Sequence, residues 1–388
     1  MELCQPRYGT CTQGQRTIPI PVLDVAGLVP GASMGAGLGN RFLDDLRHAQ
    51  TFIHVVDASG TTDAEGKETS GYDPTRDIAW LIDEIRAWVN SNLRKHWSAV
   101  KRKANAGFSL DKILARYFGG YGADRRLCAK VAGLVPSSLA KKPMEEWDDT
   151  EIDLLVDIFV RERFPMVIAL NKIDLPDADR NIESICNKYP DLSKSNSILC
   201  MSTLAENFLK KLQQEEYIFY AEGTDQVYTH QDQQGLTTGA DAEAVGLPAA
   251  LMDRPLKPLG EKTQTRLDEL LDLVLFRYGG TGCRDVVNRA VELASVVPFY
   301  PVRSVHNYGP VLKRGQAVPA LGQRSSAFVD CYLVPSWCTI KEAAEMLFSP
   351  KELEHAQLVM ETVGGRQLSE DDMVKDFPIV AFKFRGEE

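Results

Sequence analysis

The feature that most constrains this chain is a buried strand running straight into a polar tetrad. Residues 166–170 (MVIAL) are continuously apolar, and Asn171, Lys172, Ile173 and Asp174 follow at once. Residues 52–57 (FIHVVD) and 197–201 (SILCM) repeat the plan of a short apolar run that stops on polar sequence. Runs of this length fit strands buried on both faces. Between them lie amphipathic helices. Ile78, Leu81, Ile82, Ile85, Val89, Leu93 and Trp97 recur at helical spacing behind Asp73 and Pro74, an N-terminal start signal. Residues 148–163 form a further helix, acidic at its start and basic at its end, as the helix dipole favours. Strands alternating with helices predict a parallel α/β sheet, whose ligands sit at the carboxyl ends of the strands.

The tetrad carries base chemistry. An ionised Asp174 can accept two hydrogen bonds from the N1–H and 2-amino group of guanine. Adenine lacks that donor pair, so paired against unpaired polar groups separates the bases. The Lys172 stem can lie over the base and Asn171 can fix the loops. Residues 17–25 (TIPIPVLDV) read as another strand, ending at Asp24-Val25-Ala26-Gly27. An Asp at a strand end can hold a water of Mg²⁺, and a glycine N–H can approach a terminal phosphate. Alone that motif is weak; two motifs in order, each behind a strand, are far more specific. After the fourth strand, Ser202 and Thr203 offer a backbone or hydroxyl contact to the base, or simply a helix cap.

Length and composition bound the rest. A chain of 388 residues with 44% hydrophobic content has room for two or three domains. No run of eighteen apolar residues occurs, so a membrane span is not expected, and the first residues lack a secretory signal. Eight cysteines without framework spacing read as reduced thiols of a cytoplasmic protein. Net charge is -10, yet residues 94–142 hold twelve Lys/Arg against Asp111 and Asp124. That +10 segment is either a solvated helical surface, broken at Gly119-Gly120 and Gly133, or a face for a polyanion. Lys101, Arg102, Lys103, Arg125 and Arg126 are its candidate RNA contacts, with Trp97, Phe108, Tyr117, Phe118 and Tyr121 interleaved. Residues 222–262 are polar and read as a loop or linker. Helices near 264–278 and 281–295 follow, then strands at 297–302, 327–334 and 379–384 with a helix near 339–347.

Taken together, residues 24–27, 171–174 and 202–203 look like the third, fourth and fifth motifs of a GTPase domain. The run DVAGLVPGASMGAGLGNRFLDDLRHA followed by HVVDASG resembles the Obg-related family, and within it the YchF-like branch with a helical insertion and a C-terminal TGS domain. FVDCYLVPSWCTIKEAA (328–344) is similar to the strand, turn and helix of that domain. The resemblance implies GTP or GDP as ligand with Mg²⁺, and the ribosome or ribosomal RNA as partner. The implied organisation is a partial GTPase domain over 1–220 with a helical insertion at about 98–147, a linker at 221–262, helices completing the domain at 263–296, and a TGS-like β-grasp at 297–388.

The sequence departs from the family pattern. No G-x-x-x-x-G-K-[ST] loop occurs; Gly279-Gly280-Thr281-Gly282 lacks both the Lys and the spacing. The family places that loop ahead of the Asp24 strand, where its N–H groups and Lys neutralise phosphates. The expectation is thus an incomplete P-loop-type doubly wound sheet, lacking first strand and P-loop, with weak GTP binding and impaired hydrolysis. Such a chain is either an incomplete product, or a degenerate GTPase serving as a non-enzymatic scaffold for RNA or ribosome. Leu28 stands where Ras-like GTPases place a water-orienting Gln, a trait the family shares. Some YchF-like members carry another residue type at position 174 and accept ATP, so Asp174 argues for guanine. No catalytic residue is assigned.

Overall fold

The computed structural model describes residues 4, 6–9, 11–12, 15–25, 46–237, 255–311, 327–354 and 358–385. They fall into two compact units, Met1–Asp24 with Ala294–Glu388, and Val25–Leu293. Among the described residues no helix is long and apolar enough to cross a membrane.

In chain order, a small hairpin of β1 (Cys11–Thr12) and β2 (Gln15–Arg16) comes first. The larger unit then rests on a parallel sheet. β3 (Phe52–Asp57) is followed by six helices: α1 (Thr75–Lys95), α2 (Trp97–Asn105), α3 (Leu110–Phe118), α4 (Arg125–Leu134), α5 (Ser137–Ala140) and α6 (Asp149–Arg163). The chain returns to the sheet as β4 (Met166–Asn171), which pairs with β3 from Phe52 opposite Met166 to Asp57 opposite Asn171. After α7 (Ala178–Lys188) and α8 (Pro190–Lys194), β5 (Ile198–Cys200) pairs with the other side of β4. This register brings Asp57, Asn171 and the residues after Cys200 to one rim, where a parallel sheet binds its ligands.

Both faces of the sheet are covered. Val56, Ile168 and Leu170 pack with Ile78 of α1 and Ile185 of α7. Val167 and Ala169 pack against Val286 and Ala290 of α12 (Cys283–Leu293) on the opposite face. Burial on both faces is why β4 reads as an unbroken apolar run. The helices between β3 and β4 build a core of their own, in which the Phe118 and Phe159 rings stack at 3.9 Å. α1 serves both cores, with Ile78 on the sheet and Ile85, Val89 and Leu93 in the helical body.

Beyond β5 come α9 (Thr203–Gln214), β6 (Ile218–Tyr220), β7 (Val227–Thr229), α10 (His230–Thr237) and α11 (Glu261–Leu270), which continues as a π-turn over Leu271–Phe276 before α12. The smaller unit carries a four-stranded mixed sheet in the order β10–β11–β8–β9. Its strands are β8 (Val296–Val302), β9 (Tyr332–Pro335), β10 (Leu358–Thr362) and β11 (Ile379–Phe384), and β8 and β11 form its central parallel pair. α13 (Ile340–Leu347) is started by a capping box between Thr339 and Glu342 and puts Ile340, Ala343 and Ala344 against Phe299, Val334 and Val380. A short α14 (Pro350–Glu354) leads towards β10.

The structure corrects four expectations. Residues 17–25 form no strand; Val22 is 74% and Leu23 59% exposed. A strand needs a neighbour to take its N–H and C=O groups, and residues 17–24 cluster with the smaller unit, while the parallel sheet belongs to the larger. Residues 222–262 are not loop throughout, because β7 pairs with β6 across Phe219 and Tyr228, whose rings lie 6.2 Å apart. The helix break expected at Gly133 falls one residue later, since Gly133 sits in the last turn of α4, which ends at Leu134. β10 is a strand the polar spacing of LVMET did not announce.

Candidate nucleotide-binding site

Four of the expected site residues meet on the sheet rim. Asn171 ends β4 and its side-chain oxygen accepts from the Thr203 N–H at 3.1 Å and the Thr203 hydroxyl at 3.2 Å. Lys172 follows with a left-handed backbone (φ 65°). Ile173 turns inward and is buried against Ala205 and Leu209 of α9, so residues 172 and 174 project from a loop pinned at its middle. Ser202 is fully buried and caps α9: its hydroxyl accepts the Ala205 N–H at 3.0 Å and donates to Asp174 Oδ1 at 2.7 Å. A carboxylate has about four acceptor positions, so Asp174 is oriented while retaining capacity for the two N–H groups of a guanine edge.

Sequence reasoning missed the residue that holds Lys172. Its ammonium lies 2.7 Å from Asp57 Oδ2 at the end of β3. Asp57 also accepts the Ser59 N–H at 3.0 Å and the hydroxyls of Ser59, Thr61 and Thr62 at 2.6, 3.0 and 2.6 Å. Burial works against its charge, but the Lys172 ammonium and the hydroxyls prevail and hold its carboxyl well below the usual range. Asn181 of α7 closes the loop from below by donating to the Ala58 carbonyl at 2.8 Å. The signal was present in FIHVVDASG, an acidic residue at a strand end followed by small hydroxyl residues.

The glycine cluster at 279–282 has a different role from phosphate binding. Thr281 is fully buried; its carbonyl accepts the Ser202 N–H at 2.9 Å and its hydroxyl donates to Glu206 at 2.6 Å. Tyr220 donates to the same Glu206 oxygen at 3.0 Å. Gly282 has φ 74°, and a side chain there would collide with the Cys200 carbonyl. The cluster is thus a buttress, bringing the helix return of 261–293 up behind the Ser202 loop.

Asp24 is exposed and is the last residue of the N-terminal stretch that clusters with the smaller unit. Gly27 lies outside the described residues. Among the described residues no group of three or more His, Cys, Asp or Glu converges as a metal site. Of the candidate RNA contacts, Lys101, Arg102 and Lys103 lie on α2 and Arg125 and Arg126 on α4. Arg102, Arg125 and Arg126 are exposed, and Lys103 sits 4.9 Å over the Phe108 ring.

The chain is similar to known proteins. Residues 169–304 match the family model described as Obg-like GTPase YGR210-like, G4 motif-containing domain. An uncharacterized GTP-binding protein of Schizosaccharomyces pombe is 43% identical over 345 residues, 89% of this chain and 76% of that protein. One of Methanocaldococcus jannaschii is 32% identical over 346 residues, 88% of this chain and 75% of that protein. The crystal structure of a GTP binding protein from Pyrococcus horikoshii OT3 shares the fold, with a TM-score of 0.57 at 24% identity over 88% of this chain and 81% of that one. With two relatives matched over three quarters of their length and the Asn171–Asp174 loop inside the matched model, the chain belongs to the Obg-like GTPase family.

Proposed function

We propose that the chain binds GTP and GDP through Asn171, Lys172, Asp174 and Ser202, with Asp174 reading guanine. The observation that carries this reading is the Ser202 hydroxyl, which orients Asp174 at 2.7 Å while capping α9. Calorimetric titration with GDP and ADP tests it. GDP binds at least tenfold tighter than ADP, and Asp174→Asn weakens GDP by about 2–4 kcal/mol, the value of a charge-assisted pair. Equal affinities for the two nucleotides, or an unchanged affinity in Asp174→Asn, refute the assignment.

The wider role we infer is that of a translation-associated protein working at the ribosome or ribosomal RNA. Its basic helical body and the mixed sheet of the smaller unit, read as a TGS-like β-grasp, would supply the contacts. Mg²⁺ held through water by Asp24, with Gly27 at the terminal phosphate, belongs to this proposal. A non-enzymatic scaffold is the second reading, motivated by the lack of a G-x-x-x-x-G-K-[ST] run in the sequence. Phosphate release from bound GTP separates the two: turnover supports the enzyme, and binding without turnover the scaffold.

A further inference from the structure

The helical body holds a cleft of about 260 Å³ between the C-terminal end of α1 and the turn after α3. Leu93, Phe118 and Tyr121 are buried at its floor, Trp88 and Tyr117 form half-buried walls, and His96 is exposed at its mouth. Trp88 meets the Tyr121 ring edge-on at 4.5 Å, and the His96 ring lies 5.9 Å from that of Tyr117 at 31°. Asn92 is the polar wall, donating to the Tyr121 hydroxyl at 2.9 Å. Aromatic faces with an amide and an imidazole at one side suit a flat ring that carries hydrogen-bonding edges.

Cationic side chains lie on the two helices that frame the cleft. The Lys95 ammonium stands 3.5 Å from the Asn92 side-chain oxygen. Arg116 directly precedes Tyr117 on α3 and Lys112 lies one turn earlier, and both are exposed. Nearby acids of α6 are engaged elsewhere: Asp149 and Asp153 with Arg94, Asp157 with Arg86, and Glu162 with Lys130. Positive charge beside an aromatic slot fits an anionic polymer with exposed bases. We propose that this cleft takes one splayed-out base of single-stranded RNA, whose phosphates run along Lys95, Lys112 and Arg116. The proposal rests on the reading that the helical body faces RNA, and adds which strand form it takes and where.

Gly120 supplies a clean test. It lines the cleft, its backbone is not left-handed, and a Cβ there meets nothing within 4 Å. Gly120→Leu therefore adds bulk to the lining with no clash at its Cβ. The measurement is anisotropy of a labelled twelve-nucleotide oligouridine with the full chain, across salt concentrations. Gly120→Leu and Tyr117→Ala each weaken binding about tenfold, the scale of one stacked base, while Tyr117→Phe binds like the parent. The salt slope stays unchanged in these variants and flattens in Lys95→Glu/Arg116→Glu. An RNA duplex of equal length binds more weakly than the single strand. If Gly120→Leu and Tyr117→Ala bind like the parent while Lys101→Glu/Arg102→Glu/Lys103→Glu weakens binding, the cleft is overturned and the RNA reading stands. If the parent binds no oligouridine, both fall. Uridine monophosphate binding as tightly as the oligomer overturns the proposal in favour of a small-ligand pocket.

Discussion

Asp57 shows how one side chain can organise a loop it does not belong to. It stands on β3, yet it fixes Lys172 at the end of β4 through a 2.7 Å ion pair, with three hydroxyls completing its shell. Lys172 occupies a left-handed backbone that a lysine rarely adopts unaided, so its anchor sets the geometry of the neighbouring Asp174. The carboxyl of Asp57 is held below its ordinary range, so its stabilisation is complete above about pH 4, the unfolded value, and is lost as pH falls below it. Asp57→Asn should therefore cost about 2 kcal/mol at neutral pH, and the gap to the parent should close as pH drops below about 4. Urea titrations at both pH values check this. A gap that is constant with pH would mean that the charge of Asp57 is not what stabilises the loop.

At the scale of elements, α6 illustrates a basic terminus used for more than the helix dipole. Arg163, in its last turn, is 8% exposed and faces carbonyls. Its guanidinium donates to the carbonyls of Tyr121, Ala49 and Arg47 at 2.7, 3.0 and 2.6 Å. Those carbonyls belong to the turn after α3 and to the segment leading into β3, so one side chain ties the helical body to the root of the sheet. Burial pulls the pKa of Arg163 down, but an arginine stays charged. Arg163→Met keeps the apolar stem and removes all five donors. The expected loss is about 2–4 kcal/mol, because three partly buried carbonyls lose their partner, read as a lower urea midpoint with an unchanged slope. A loss under about 0.5 kcal/mol would show that water replaces the guanidinium and that the tie is dispensable.

For the whole molecule the distribution of charge matters more than its total. The chain is -10 overall, and the +10 stretch of 94–142 was counted without its spatial neighbours. Over the helical body, 75–163, sixteen Lys/Arg meet thirteen Asp/Glu, because α1 and α6 bring carboxylates. Arg94, Lys130 and Lys142 are spent on Asp149, Asp153, Glu162 and Glu151. Lys101, Arg102 and Lys103 lie on α2 and Arg125 and Arg126 on α4. On the proposal that these residues face RNA, replacing the five by Glu should weaken co-sedimentation with ribosomes and flatten its salt dependence, since each phosphate contact releases counterions. Unchanged binding with an unchanged slope would mark the run as a solvated surface.

The sequence by itself determined the local parts. β4 was legible because burial on both faces demands unbroken apolar residues, α1 because its start and period are explicit, and α13 because Thr339 and Glu342 form a capping box. The loop proposed to read the base was legible because Asn171–Asp174 is contiguous behind β4 and Ser202 lies two residues beyond β5. What only the tertiary structure decided is which distant groups meet. Nothing local pairs Asp57 with Lys172, places Thr281 behind Ser202, or sets Asp149 against Arg94, because such contacts follow from strand register and helix packing across gaps of 55 to 115 residues. The same reason undid the strand at 17–25. Its apolar, β-branched residues state a propensity, but a strand exists only where a neighbour completes its hydrogen bonds.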